Sequence, residues 1–419
     1  MEKPMKVCIF EDSSWKNFLP LTYTRAVFDL RCGIYSHKTR IFNHYKNSQK
    51  SFLVREELED LYKERYQDIT VNEFDEGQFL FIHGSLIYSG DIHTVLHTLR
   101  VGEGLFNNDT LIAAKIHFKK PKKFSVNDLD KIIVDLKKIE TDITCNEYTW
   151  QLVERNHQQL IYDFTDFTNG KTNFLLQDGS FHVINPDNIF IEKDVTLEPG
   201  VVLDARLGPI VLDEKSHILA NSVLKGPVYI GKNSRINVSA KIYEGTNIGE
   251  VCKIGGEVEE TIFQSYTNKQ HDGFLGHSYV GEWVNIGADT NNSNLKNNYQ
   301  PVKAYFYPTR NFKNTEMQFF GSVFGDHTKT GINVTINTGT IIGVGCNIYS
   351  PALFSGLIPC FSMGTADHLG DLHLHKMLET AEIVKKRRNL KLTTAERSLL
   401  QKCYDESSHL RKIFHKVKR

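Results

Sequence analysis

Between Asn268 and Asn298 the chain reads NKQHDGFLGHSYVGEWVNIGADTNNSNLKNN. His271, Asp272, His277, Asn285, Asp289, Asn291, Asn292 and Asn294 crowd a stretch that also carries aliphatic residues at regular intervals. A core alone does not call for so many hydrogen-bonding side chains. A neutral histidine within reach of an attacking group can take its proton as general base. Amide side chains offer both donor and acceptor to hydroxyls, and a carboxylate such as Asp272 can hold an imidazole tautomer. The spacing H-x13-N-x8-N joins His271, Asn285 and Asn294. The competing reading is that Asn and Asp decorate turns. It is preferred for Asn291 and Asn292, and His277 and His327 read as surface or interface residues.

A second set lies near the amino terminus, where TRAVFDLRCG carries Arg25 and Arg31 with Asp29 between them. Arginine recognises phosphate through a bidentate fork. A salt-bridged helix start explains the same residues, and both readings stand. No set of His, Cys and carboxylates has zinc spacing.

The elements that must carry these residues follow from periodicity. Leu212, Ile218, Leu224, Ile230, Ile236, Ile242, Ile248 and Ile254 fall on every sixth residue. Two before each, from Ile218 on, stands a small or β-branched residue or a cysteine: Ser216, Ser222, Val228, Ser234, Ala240, Thr246, Cys252. The step recurs at Ile191, Leu197 and Leu203, and at Ile336, Ile342 and Ile348. Six matches neither the helical nor the strand period. It predicts a hexapeptide-repeat parallel β-helix over 180–365, each unit forming one side of a triangular coil. Gly, Asn and Asp at the turns tolerate positive φ. Between Leu295 and Phe324 the repeat stops, which predicts an inserted arm over 296–324 that projects toward a neighbouring subunit.

Residues 1–170 read differently. MKVCIF and QFLFIHG are buried strands, and VNDLDKIIVDLKKIE and YTWQLVERNHQQLIYDF have helical spacing. They predict an α/β layer domain. Residues 366–419 read as a basic helical tail, with TTAE as a capping box of Thr393 and Glu396. The tail is either a solvated helix face or a phosphate clamp for a nucleotide-bearing ligand. Zero net charge gives no reason to expect nucleic acid. Seven scattered cysteines without a CxxC pair suit a reduced, cytoplasmic setting. No apolar run approaches the ~20 residues of a membrane span, and no signal peptide is evident.

HDGFLGHSYVGEWVNIGADTNNSN resembles the acetyltransferase half of bifunctional N-acetylglucosamine-1-phosphate uridylyltransferase/glucosamine-1-phosphate acetyltransferase. His271 falls on that family's catalytic base. Asn285, Ile286, Gly287, Ala288 and Thr290 reproduce its N-I-G-A-x-T, and Asn294 its later asparagine. LPLTYTRAVFDLRCG, SNLKNNYQPV and GDHTKTGINVTINTG are similar to a divergent bacterial branch of the family.

The resemblance implies an α/β nucleotidyltransferase-like domain followed by a left-handed β-helix in a homotrimer. It implies acetyl-CoA as co-substrate near Ala288, and a sugar phosphate held by Asn285, Asn294 and the position of Phe274. It also implies a nucleotide, with Mg2+ if the nucleotidyl site is active. Glu11, Asp12, Asp29 and Asp91 are the candidate ligands. Phe274 stands where the family has a tyrosine, Asp289 where it has a glycine, and Ile332 where it has a serine. GGEVEETIF offers no basic residue for the sugar phosphate. FEDSSWKNFLP replaces the Gly-rich loop, and Ser85 replaces the metal-binding aspartate of a G-D motif. Three functions stay open: a bifunctional enzyme making a UDP-N-acetylamino sugar, an enzyme with one surviving activity, and a non-catalytic sugar-nucleotide sensor or scaffold.

Overall fold

The computed structural model describes residues 5–87, 92–175, 179–349 and 352–415. They form two compact units. The first contains the residues up to Arg31, Tyr35–Tyr148 and Thr393–Leu399, and the second Cys32–Ile34, Thr149–Leu392 and the residues from Leu400.

The first unit is built on a seven-stranded sheet. Its strands are β1 (Lys6–Phe10), β2 (Gln49–Leu53), β3 (Thr70–Val71), β4 (Gly77–His83), β5 (Glu103–Asn107), β6 (Thr110–Phe118) and β7 (Lys137–Glu140). They lie in the order β3-β2-β1-β4-β6-β5-β7. Val7, Cys8, Ile9 and Phe10 are all fully buried. The apolar run of MKVCIF therefore becomes a central strand packed on both faces. β1 pairs in parallel with β2 on one side and with β4 on the other. Strand order thus reverses at β1, and the crevice beyond the carboxyl ends of such strands is where α/β sheets bind ligands.

The second unit is a triangular parallel β-helix. Its three faces are ladders of two- and three-residue strands. Face one runs from His182–Ile184 to Phe274–Gly276 and resumes from Asn291–Asn292 to Leu353–Phe354. Face two runs from Ile189–Ile191 to Leu357–Ile358. Face three runs from Thr196–Leu197 through Arg235–Ile236, Lys253–Ile254 and Asn268–Lys269, then continues through Asn285 to Lys329–Thr330. All eight aliphatics of the unbroken six-residue run are 0% exposed. The residues two positions earlier are small enough for the corners, and two of the serines bond the backbone there. Ser222 Oγ donates to Asn237 O at 2.8 Å, and Ser234 Oγ to Gly249 O at 2.7 Å. A larger side chain has no room at such a corner, which explains the second register of the repeat.

The helix Thr149–Thr168 groups with the coil by its contacts. Face two of the coil is apolar on its outer side and needs a cover. Phe167 packs edge-on to Phe190 and Tyr229, and Asn247 Nδ2 donates to Asn156 Oδ1 at 3.0 Å. The insertion does not project. Its hairpin, Lys303–Phe306 against Asn311–Asn314, folds back on its own unit, with Val302 and Ala304 buried and Phe306 and Phe320 against Trp150. The basic tail forms three helices rather than two, Leu374–Lys386, Thr394–Glu406 and Ser408–Phe414. The capping box is present: Thr393 Oγ1 accepts from Glu396 N, and Glu396 Oε2 from Thr393 N. No helix among the described residues is long and apolar enough to cross a membrane.

Candidate functional site

In the first unit the chain leaves β1 into Glu11 and Asp12, then a tight helical turn, Ser13–Phe18, capped by Asp12 accepting from Ser14 N at 2.9 Å. This turn occupies the place of a Gly-rich loop. Beside it lies a cavity of about 550 Å³ at the carboxyl ends of β1 and β2. Trp15 and Lys16 line it from the turn, Arg55 and Glu59 from beyond β2, Asn72 from beyond β3, and Lys123 and Asp130 from the opposite wall. Arg55 stacks on Trp15, 4.0 Å from the ring centre, and pairs with Glu11 Oε2 at 2.9 Å. Glu11 is fully buried, and desolvation pushes its carboxyl up despite the guanidinium. Glu59 is the reverse case. Burial opposes ionisation, but hydrogen bonds from Asn72, Lys63 and Lys123 bring it down to about 2.

Asp12 Oδ2 lies 3.4 Å from His83 Nε2, an ion-pair distance, while His83 Nδ1 accepts from Ser85 N at 3.1 Å. Burial works against both charges, yet the imidazole holds Asp12 low, and Cys145 and Asp12 hold His83 high. Asp130 is pushed up by burial and by the charge of Asp12.

Arg25 and Arg31 do not line this cavity. Arg25 is buried, and Arg31 bridges to Ser36 at the backbone. Asp29 does carry a salt bridge, but to Lys38, with Tyr62 as a second partner. Of the four candidate metal ligands, Glu11 and Asp29 are each taken by a cation, and Asp91 lies outside the described residues. Asp12 is likewise held, by His83. Among the described residues no cluster of three or more His, Cys, Asp or Glu could hold a metal.

In the second unit the opening stretch makes one and a half coils. Asn268, Asn285 and Lys329 are successive rungs on the outer side of face three. Counting on by three places His271, Ala288 and Ile332 at equivalent positions of one corner, and the coils lock there through Asp289 N to Asp272 O at 2.9 Å and Asn333 N to Ala288 O at 2.8 Å. The side chains of His271 and Asn285 are exposed. The two asparagines assigned to turns lie instead in a strand of face one, where both serve the backbone of the coil. Asn291 Oδ1 accepts from Phe274 N at 2.7 Å, and Asn292 points inward, bonding Gly276 N and O.

Asn294 does not join His271 within one chain. Its Nδ2 donates to His277 Nδ1 at 3.0 Å. His277 is six residues further on, at most about 20 Å along an extended side. It is half-buried against Phe319, and burial lowers it to about 4, so it stays neutral.

Sequence reasoning missed Lys269. It occupies the inward ladder of face three between Ile254 and Ile286, where the period asks for an aliphatic residue. Its stem fills the core while Nζ donates to the carbonyls of Gly255 at 3.1 Å and His271 at 3.0 Å. Burial lowers it to about 8, against the pull of Asp272, Asp289 and Glu257. The only signal in the sequence was the break in the six-residue step at this coil.

Residues 7–172 match the sugar nucleotidyl transferase family. The bifunctional protein GlmU of Methanocaldococcus jannaschii is 24% identical over 359 residues, covering 75% of this chain and 81% of that protein. GlmU of Acaryochloris marina is 30% identical over 192 residues, 40% of this chain, and the match spans only 38% of that relative's length. The resemblance expected from the acetyltransferase motif is borne out by these relatives. Among solved structures, Arabidopsis UDP-N-acetylglucosamine acyltransferase aligns with a TM-score of 0.28 at 16% identity, over 58% of this chain and 99% of its own.

Proposed function

We propose that this chain is a transferase of sugar-nucleotide biosynthesis that acetylates an amino-sugar phosphate on the coil and transfers a nucleotidyl group in the α/β unit. The observation that carries the reading is the corner of the coil. An exposed His271 stands there with its backbone tied from inside by Lys269, and the exposed amide of Asn285 is one rung on along the adjoining face. Amine attack on a thioester requires loss of a proton, and His271 takes it. Asn285 orients the sugar through a hydroxyl. Corner N–H groups are fixed donors for the developing oxyanion. Acetyl-CoA would run past Ala288 and Ile332.

In the first unit, Lys16, Arg55 and Lys123 give the cavity cations for a triphosphate, and Trp15 an aromatic wall. Mg2+ would neutralise charge between the phosphates. The one-activity alternative keeps the acyl site alone, and the turn Ser13–Phe18 in place of a Gly-rich loop favours it. The remaining alternative is a sugar-nucleotide sensor. Thiol release from acetyl-CoA with glucosamine 1-phosphate, and pyrophosphate release from UTP with its N-acetylated product, separate the three. Both activities are expected from the cytoplasmic enzyme. Either release alone selects the one-activity form, and neither selects the sensor.

The active assembly is a homotrimer in this reading. Val238, Ile332 and Leu353 are 56%, 67% and 54% exposed, an apolar burden that a neighbouring coil would cover. Asn294 of a neighbour would then complete the site that one chain leaves divided. Light scattering at micromolar concentration is expected to give three times the chain mass, and a monomer rules the assembly out.

A further inference from the structure

Four cations gather on face three, on the side of Asn285 nearer the start of the coil. Arg235 and Lys253 are adjacent outer rungs of the ladder, Cα partners in register. The helix Leu374–Lys386 brings a second pair. Lys385 near its end lies over the Trp283 ring, 5.5 Å from the centre, and Trp283 stacks on Tyr266 at 4.3 Å. The next two residues of the chain after Lys386 are Arg387 and Arg388, and both act on Lys253. Burial, Arg388, Arg235 and Arg387 together lower its ammonium.

Elsewhere on the coil exposed cations are paired. Lys193, Lys215 and Lys232 share Glu214, Arg206 has Asp204, and Lys241 has Glu257. Among the described residues Arg235, Lys253, Arg387 and Arg388 have no ion-pair partner. Arg235 Nε donates to the neutral amide of Asn237 at 3.0 Å, and Glu198, which feels Arg235, is already held by His217 at 2.8 Å and by Ala220 N at 3.0 Å. The negative end of the helix accounts for cations at residues 387 and 388. It does not account for their meeting two more on the face of the coil. Unpaired like charges repel, so their convergence is a cost that an anion removes.

We propose that Arg235, Lys253, Arg387 and Arg388 form a binding site for a diphosphate group. This deepens the acyl-transfer reading and rests on it for the position of the reacting amine. Lys253 lies two rungs from Asn285 through Asn268, about 10 Å at the spacing of paired strands. A phosphate on the anomeric carbon is too close to the amine of its own sugar to span that gap. A diphosphate-linked ligand spans it. The occupant this favours is a nucleoside-diphosphate amino sugar as acceptor, because acetyl-CoA passing Ala288 and Ile332 runs away from these rungs. Tyr266, half-buried and stacked on the buried Trp283, stands beside the cations.

The test is equilibrium binding of inorganic pyrophosphate to the full-length chain and to an Arg387→Gln/Arg388→Gln variant. Both side chains lie outside the core, so folding is retained, and Arg235→Gln on the coil gives an independent second variant. Each is expected to weaken pyrophosphate at least about tenfold, the loss of one charge-assisted contact or more. Lys123→Gln, in the cavity of the other unit, is expected to leave that difference between wild type and variants in place. UDP and coenzyme A, titrated separately, identify the occupant as the one whose affinity falls in the same variants. Equal pyrophosphate affinity in wild type and both variants overturns the site. Acetyl transfer by wild type alongside equal affinities discards this site alone. Variant-sensitive binding without any acetyl transfer retains it and discards the acyl reading.

Discussion

His271→Ala lowers acetyl transfer by about 10²–10⁴-fold, the contribution of a general base, and leaves the melting temperature where it was. The second half of that expectation comes from the corner. The imidazole is exposed, whereas what the fold uses of residue 271 is its carbonyl, the acceptor of Lys269 Nζ at 3.0 Å. Alanine keeps the carbonyl. Asn285→Ala behaves differently: its amide is exposed on the next rung, so its loss raises KM for the sugar more than it lowers kcat. The assay is thiol release from acetyl-CoA with glucosamine 1-phosphate and with nucleotide-linked amino sugars in parallel. Transfer by a well-folded His271→Ala at the wild-type rate removes the histidine from the mechanism. No transfer by wild type to any amino sugar moves the chain to the sensor reading, with Phe274 and Ile332 the first residues to blame.

The coil was legible because its core makes one demand at one interval. Each side of the triangle must send one side chain inward, so Leu212 to Ile254 announce the fold from six-residue spacing alone. What escaped was everything decided between distant segments. Helix Thr149–Thr168 has the same apolar spacing whether it covers a sheet or a coil, and only Phe190, Tyr229 and Asn247 on face two settle which. The aromatic insertion read as an arm because nothing in its composition says that it turns back.

Lys269 looked like one more polar residue in a polar stretch, since a lysine stem can replace isoleucine inside only if carbonyls wait at its tip. In the first unit the arginines that drew attention, Arg25 and Arg31, shared a short motif, whereas Trp15, Arg55, Asn72 and Lys123 share none. They meet because parallel strands deliver their following loops to one end of a sheet.

Arg55 is where that end of the sheet is most exposed to a single change. It pairs with Glu11, which is 0% exposed, it covers Trp15, and its Nη2 donates to the carbonyl of Arg25 at 3.3 Å. Arg55→Ala strands a carboxylate in the interior, and breaking a buried pair from one side costs about 3–5 kcal/mol.

The pH dependence has a definite sign. Burial already raises Glu11 above its unfolded value with Arg55 present, and removing the guanidinium raises it further. A carboxyl raised in the folded state contributes its stability in acid, where it is protonated in both states, and loses it as pH rises through the folded value. The variant is therefore expected to lie nearest to wild type in acid and to fall away as pH climbs above the ordinary carboxylate range. Glu11→Gln in the Arg55→Ala background removes the stranded charge and is expected to recover part of the loss at neutral pH and none in acid. Denaturant unfolding of the three proteins across that range reads it directly. A gap between Arg55→Ala and wild type that stays constant with pH would mean that Glu11 is not the group left behind, and that the loss comes from the packing of Trp15.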